Sequence, residues 1–286
     1  MRTIRGLLGA LFLGSTIIFF NGLQMMSLVL RPFSQSAFRS FNCWVAGAWW
    51  GLCVRLLEGL NGTRLVVTGD DVPYDDNVII VLNHQSMTDI PVVLALAYRK
   101  RRLGNLKWFV KDIAKYVPGI GWGMLFLDCL FIKRNWTDDR NYILRVFDRI
   151  IRYSVPIWLV SFVEGTRLRP SKLADSRRYA EKNGLVPLKH LLIPRTKGFV
   201  SSVQALKGHL TAVYDLTIGY EGSVPRLWQL IRGDVKRVHL HVRRYAVDQL
   251  PAEEEVLSRW LLQIFREKDR LLDGYYRTGG FSGSAQ

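Results

Sequence analysis

Residues 6–30, GLLGALFLGSTIIFFNGLQMMSLVL, run without a charge between Arg5 and Arg31. As a helix at ~1.5 Å per residue this stretch reaches ~37 Å, enough to cross the ~30 Å hydrocarbon layer of a bilayer with tilt. A cleaved signal peptide would carry a shorter apolar core, ~7–15 residues, whereas Met25, Met26, Leu28 and Leu30 carry this run up to Arg31-Pro32. The pattern predicts an uncleaved N-terminal anchor. A second apolar stretch, Phe41 to Leu57, bears Trp44, Trp49 and Trp50, with Arg39 and Arg55 at its ends. It fits a spanning helix, a helix under the headgroups or a core helix. Asn21 and Gln24 are costly in lipid, and bonds from them to this second helix would make a packed helical pair.

Beyond residue 58 the period changes. Leu65–Thr68, Trp108–Lys111 and Leu191–Pro194 read as short strands, Val78–Leu82 and Pro156–Val163 as strands buried on both faces, Ala212–Gly219 as a further strand and Arg237–Tyr245 as an exposed-edge strand. Asp89–Ala97, Asp138–Tyr153, Arg177–Asn183, Phe199–Leu206 and Glu253–Leu272 read as helices. Alternation of this kind predicts an α/β fold: a central, mostly parallel twisted sheet flanked by helices, preceded by the membrane-associated helical pair. The expected division is 1–58 for the anchoring helices, 59–277 for the α/β domain and 278–286 for a disordered tail.

Charge narrows the partners. Lys+Arg 40 against Asp+Glu 24 gives +16 over 286 residues, which favours an anionic partner such as a lipid surface, a phosphorylated substrate or nucleic acid. Nine Trp and 14 Phe in so basic a chain favour the membrane interface. The basic residues are spread along the chain and no nucleic-acid motif is present, so a membrane-tethered nucleic-acid binder is the weaker reading and no nucleic acid is expected. The densest cationic run, Arg99 to Arg102, is a candidate for docking to headgroups or phosphates. Three cysteines cannot build a disulfide framework, and no metal-ligand spacing, P-loop or GxGxxG occurs, so no metal is expected.

Two loops carry candidate chemistry. Asn83-His84-Gln85-Ser86-Met87-Thr88-Asp89 follows the buried strand 78–82, where open α/β sheets place their sites. Asp89 can fix the tautomer of His84 and support its cation, which makes the pair a general base for a hydroxyl; a capping histidine or a structural ion pair is the bland alternative. Phe162-Val163-Glu164-Gly165-Thr166-Arg167 follows the second buried strand. Gly165 permits close approach of a ligand, Thr166 and the amides around it can bind anionic oxygens, Arg167 offers a planar fork to phosphate, and Glu164 can hold that arginine or a substrate hydroxyl. The doublet Lys133-Arg134 after Phe131-Ile132 is a weaker candidate.

These residues, taken together, resemble the glycerolipid acyltransferase family, the 1-acylglycerol-3-phosphate and lysophospholipid acyltransferases. Its four blocks occur in order: Asn-His-x-x-x-x-Asp at Asn83–Asp89, Gly123 with Phe-Ile-x-Arg at Phe131–Arg134, Phe-x-Glu-Gly-Thr-Arg at Phe162–Arg167, and the apolar-Pro block at Leu191–Pro194. The stretches 192–199, 212–220 and 238–245 are similar to the branch that holds lysocardiolipin acyltransferases. That branch often carries further C-terminal membrane helices that this chain lacks, which fits a compact bacterial member.

The resemblance implies transfer of an acyl group from acyl-CoA or acyl-carrier protein to a lysophospholipid, most simply 1-acylglycerol-3-phosphate, with no cofactor beyond the donor. Lysophosphatidylglycerol or lysocardiolipin is the alternative acceptor. His84 would act as base and Asp89 would orient it. Glu164, Gly165, Thr166 and Arg167 would hold the glycerol-phosphate, with Arg134 and Lys133 contributing. Membrane lipids and the two substrates are the implied partners, acyl-carrier protein among them, at a bacterial inner membrane with the catalytic domain facing the cytoplasm.

Overall fold

Val78–Leu82 (β2) and Ala212–Tyr220 (β6) are buried at every position in the computed structural model, which describes residues 2–133 and 135–281. Strands covered on both faces need no polar alternation, which is why β2 reads as an unbroken apolar run and β6 as one interrupted only by Asp215 and Thr217. They pair in parallel, Val78 against Ala212 through Leu82 against Leu216. With Arg64–Gly69 (β1), Leu106–Lys111 (β3), Leu130–Ile132 (β4), Trp158–Ser161 (β5) and Arg237–Ala246 (β7), they form a seven-stranded sheet in the order β1-β7-β6-β2-β5-β3-β4. The β1–β7, β3–β4 and β3–β5 pairs are also parallel, and β6–β7 is antiparallel.

The helices are Arg2–Met26 (α1), Gln35–Arg55 (α2), Asp89–Arg99 (α3), Ile120–Leu125 (α4), Trp136–Arg152 (α5), Pro170–Lys182 (α6), Thr196–Ala205 (α7), Leu227–Ile231 (α8) and Glu254–Thr278 (α9). The chain falls into two compact units. One comprises Met1–Thr63, Val93–Val160 and Trp228–Lys236; the other comprises Arg64–Val92, Ser161–Leu227 and Arg237–Gln286.

The first unit contains the N-terminal helical pair. With its short 3₁₀ continuation, α1 spans Arg2–Leu30 and is long and apolar enough to cross a membrane. Leu7, Leu8, Leu11 and Phe19 are more than half exposed. Ser34 caps α2 by accepting the Ala37 N–H at 3.1 Å. The pair is joined by Asn42 Nδ2 donating to Ser27 Oγ at 2.8 Å and Trp49 Nε1 donating to Thr16 Oγ1 at 3.3 Å. Asn21 and Gln24 do not reach α2 as expected. Asn21 Nδ2 donates to Gln24 Oε1 at 3.1 Å, and Gln24 Nε2 donates to the Gly123 carbonyl of α4 at 3.3 Å.

Both ends of α1 are tied down within this unit. Near its start Arg5 donates to Asn61 Oδ1 at 2.9 Å, Arg2 lies 3.7 Å from Asp234, and a Cβ on Gly6 would stand 3.2 Å from the Trp228 ring of α8. Near its end stand the Gln24–Gly123 and Asn42–Ser27 bonds. In the basic run, Arg99 pairs with Glu58 at 3.2 Å and Arg102 donates to Asn105.

In the second unit two sequence expectations are corrected. β7 is not an edge strand: it lies between β1 and β6. Its alternation arises because Val238, Leu240 and Val242 are buried, while the opposite face is covered by polar partners, among them Arg243 donating to the Ile264 carbonyl of α9. Leu191–Pro194 forms no strand. The Leu192 N–H donates to Glu164 and the Ile193 N–H to Ser176 Oγ, so side chains take the bonds a ladder would have used. Helix α6 starts earlier than expected, with Pro170 in its first turn. At the far end α9 continues to Thr278, and Phe281 is buried with its ring 4.6 Å from that of Tyr275. Residues 282–286 of the expected tail lie outside the described residues.

Candidate active site

Asn83 extends the β2–β6 pairing by one step through its side chain. Its Nδ2 donates to the Ile218 carbonyl at 3.0 Å, and its Oδ1 accepts the Ile218 N–H at 2.8 Å. This two-way amide clamp satisfies the backbone of β6 where β2 leaves the sheet. The turn that follows therefore departs from a rigid edge.

The turn closes on Asp89, the first residue of α3. Asp89 Oδ2 accepts from His84 Nδ1 at 2.9 Å, from the Gln85 N–H at 2.7 Å and from the Ser86 N–H at 2.9 Å. Asp89 Oδ1 accepts from Tyr220 Oη at 2.6 Å. The carboxylate is wholly buried, while the His84 side chain is 13% exposed. Its ring stacks on Phe162, with centroids 3.9 Å apart. A buried carboxylate with Nδ1–H pointed at it selects the tautomer with a free Nε2 lone pair. Nε2 is then the atom able to take a proton from a ligand hydroxyl, with Asp89 stabilising the resulting cation.

The loop after β5 meets this turn from the other side. The Gly165 N–H donates to the Phe162 carbonyl at 2.8 Å, and Gly165 has φ +74°. A Cβ there would sit 2.9 Å from Arg195 Nε, so the glycine serves both the left-handed turn and the guanidinium lying across it. The Leu168 N–H donates to the His84 carbonyl at 2.7 Å. Thr166 and Arg167 are half-buried beside these contacts.

Glu164 is placed differently from a ligand-gripping residue. It is 3% exposed. Its Oε1 accepts the His84 N–H at 2.8 Å and its Oε2 accepts the Leu192 N–H at 2.9 Å. Burial pushes its carboxyl up to about 8, against the opposing pull of those two N–H groups and of Lys268. The structure thus brings together His84, Asp89, Glu164, Gly165, Thr166 and Arg167. Lys133 belongs to the first unit, where it follows β4 and its N–H donates to Asp139 at 2.8 Å. Arg134 lies outside the described residues.

Lys268 and Asp215 were not foreseen. Lys268 of α9 is completely buried, with Nζ 2.6 Å from Asp215 Oδ1 and donating to the Leu216 carbonyl of β6 at 2.7 Å. Burial holds its ammonium below the ordinary lysine range, opposed by Asp215. Arg243 binds the other oxygen of Asp215 at 2.6 Å. Among the described residues no group of three or more His, Cys, Asp and Glu side chains could hold a metal ion.

The family model described as Acyltransferase matches residues 64–221, more than half of the chain, and the model described as Acyltransferase C-terminus matches 229–286. The chain belongs to the acyltransferase family. It is an acyltransferase similar, at 34% identity over 98% of its length and 76% of the relative's, to the probable 1-acyl-sn-glycerol-3-phosphate acyltransferase 5 of Arabidopsis thaliana. It is also 34% identical, over 97% of its length and 75% of the relative's, to the 1-acyl-sn-glycerol-3-phosphate acyltransferase gamma of Mus musculus. Plant and mammalian relatives do not bear on the bacterial origin expected above. Among solved structures, the acyltransferase is similar to the crystal structure of the 1-acyl-sn-glycerophosphate (LPA) acyltransferase, PlsC, from Thermotoga maritima. The TM-score is 0.57 at 20% identity, covering 96% of this chain and 98% of that one, a likeness that speaks for the fold alone.

Proposed function

We propose that this acyltransferase moves a fatty acyl group from an acyl thioester to the free hydroxyl of 1-acylglycerol-3-phosphate, giving phosphatidic acid. The observation that carries the reading is the His84–Asp89 pair, with Nδ1 bound to a buried carboxylate and Nε2 left for the hydroxyl. The printed names of the relatives supply the acceptor. In the step, His84 Nε2 takes the hydroxyl proton as the lipid oxygen bonds to the thioester carbonyl carbon. The tetrahedral intermediate then expels the thiolate, which recovers the proton from the imidazolium. No acyl-enzyme is required, and burial raises the Cys129 thiol to about 11, the opposite of an activated nucleophile.

Thr166 and Arg167 hold the acceptor phosphate in this reading. Glu164 acts as a brace for the His84 and Leu192 backbones, which departs from the substrate contact expected of it. Acyl-CoA or acyl-carrier protein is the donor. Both ends of α1 are bound to elements of its own unit, so α1 lies along the bilayer in this account, with its exposed apolar face in one leaflet and the active site facing the cytoplasm. The test is incubation of purified protein with isotope-labelled acyl-CoA and an equimolar panel of lysophospholipids, resolved by product mass. Phosphatidic acid as the dominant product supports the reading. Dominant acylation of lysophosphatidylglycerol or lysocardiolipin would reassign the acceptor.

A further inference from the structure

We propose that Tyr220 is a positioning residue for acyl transfer: its hydroxyl, oriented by Thr88, donates to Asp89 Oδ1 and sets how firmly Asp89 holds and charge-supports His84. The proposal rests on the reading of His84 and Asp89 given above. The two oxygens of Asp89 are held in different ways. Oδ2 accepts from His84, Gln85 and Ser86, all within five residues in the chain. Oδ1 accepts from Tyr220, which is 131 residues away. The local turn pins Oδ2 with three donors and leaves Oδ1 to be satisfied from elsewhere. The phenol, carried at the end of a fully buried strand, supplies that donor to a carboxylate sealed from water.

The direction of the bond is determined by its neighbours. Thr88 Oγ1 donates to Tyr220 Oη at 2.9 Å, so the phenol oxygen is already an acceptor and its own proton points to Asp89. Burial holds the Tyr220 hydroxyl well above the ordinary phenol range, which keeps it a donor across any working pH. Tyr220 is 2% exposed and is therefore placed to act through Asp89 rather than on a substrate. The other groups that face this pair are Glu164, in the loop after β5, and Tyr276, on α9. Lys268 bears on the pair through Glu164.

Removing the phenol oxygen leaves Asp89 Oδ1 without its buried donor. The less solvated carboxylate attracts the His84 cation more strongly and holds the ring less rigidly. In full-length protein in mixed micelles, Tyr220→Phe is expected to lower kcat about tenfold, the equivalent of ~1.4 kcal/mol. The KM for 1-acylglycerol-3-phosphate should be unchanged, and the acid limb of the kcat/KM profile should move to higher pH by about half a unit. Thr88→Val, which removes the hydrogen bond donated to the phenol oxygen and so weakens the phenol as a donor to Asp89, should move the limb in the same direction by less. A Tyr220→Phe enzyme with wild-type kcat and an unmoved limb overturns the proposal. So does a loss expressed only in KM. If Tyr220→Phe does not accumulate as folded protein, Thr88→Val decides: a shifted limb supports the role and a wild-type profile rejects it. Full activity in His84→Ala would overturn the underlying reading as well, whereas a dead His84→Ala beside an unaltered Tyr220→Phe removes Tyr220 alone.

Discussion

Glu164 Oε1 accepts the backbone N–H of His84 at 2.8 Å, and its second oxygen accepts the N–H of Leu192. A carboxyl between two loops fixes both only while each oxygen has its donor. Glu164→Gln should therefore cost about 1–3 kcal/mol, because an amide NH₂ must face one of those N–H groups. Urea unfolding in detergent measures that loss.

Stability should also depend on pH through Glu164. Its folded value, about 8, lies above the unfolded one near ~4.3. The folded state therefore keeps a proton that the unfolded state gives up. The stabilisation is complete below pH ~4.3 and is lost as pH rises through about 8. Urea midpoints of the wild type should fall between pH 5 and pH 9 on account of this group, and in Glu164→Gln that part of the fall should vanish. Parallel pH profiles in the two proteins would show that Glu164 does not titrate in this window.

Lys268 and Asp215 form a buried pair whose halves depend on each other. Lys268→Met leaves Asp215 still held by Arg243, whereas Asp215→Asn strands the buried Lys268 ammonium and should destabilise by about 3–5 kcal/mol. The double variant Asp215→Asn/Lys268→Met should recover most of that loss. Thermal midpoints of the three variants, taken as a cycle, test the coupling.

Much of the site was legible because its residues are close in sequence. His84 and Asp89 share one turn, and Glu164 to Arg167 share another; each turn follows a strand that announces itself as an apolar run. What could not be read was the pairing of those turns with distant residues. Tyr220 and Asn83 meet their partners only through the register of β2 against β6, which no local pattern specifies. A signal for the buried pair was present: Lys268 sits on the apolar face of α9, three residues after Phe265, and Asp215 interrupts the apolar run of β6. Each is a single exception within its own local pattern, and nothing local links the two. The edge position expected of β7 failed because polar alternation also arises when a helix covers the second face with charged side chains.

The bonds at both ends of α1 make a topological prediction. In a background lacking Cys43, Cys53 and Cys129, single cysteines at Thr3 and at Ser34 should react with a membrane-impermeant thiol reagent from the same side of sealed vesicles. Labelling from opposite sides would mean that α1 crosses the bilayer.

Arg167→Lys keeps the charge but loses the planar fork. It should raise the KM for 1-acylglycerol-3-phosphate several-fold, with the acyl-CoA dependence unchanged. Gly165→Ala forces a Cβ into the left-handed region and against Arg195, at a cost of about 1–2 kcal/mol. It should impair the same substrate. Steady-state kinetics with each substrate varied in turn checks both variants, and a change confined to the acyl-CoA dependence would place this loop at the donor instead.

The central claim is that His84 takes the proton from the attacking hydroxyl. Its most direct test is the initial rate of labelled phosphatidic acid formation by His84→Ala at saturating acyl-CoA and 1-acylglycerol-3-phosphate, with folding checked by circular dichroism. The account predicts a fall of ~10²–10⁴-fold with the fold intact. A folded His84→Ala enzyme that turns over within a few-fold of wild type would contradict it.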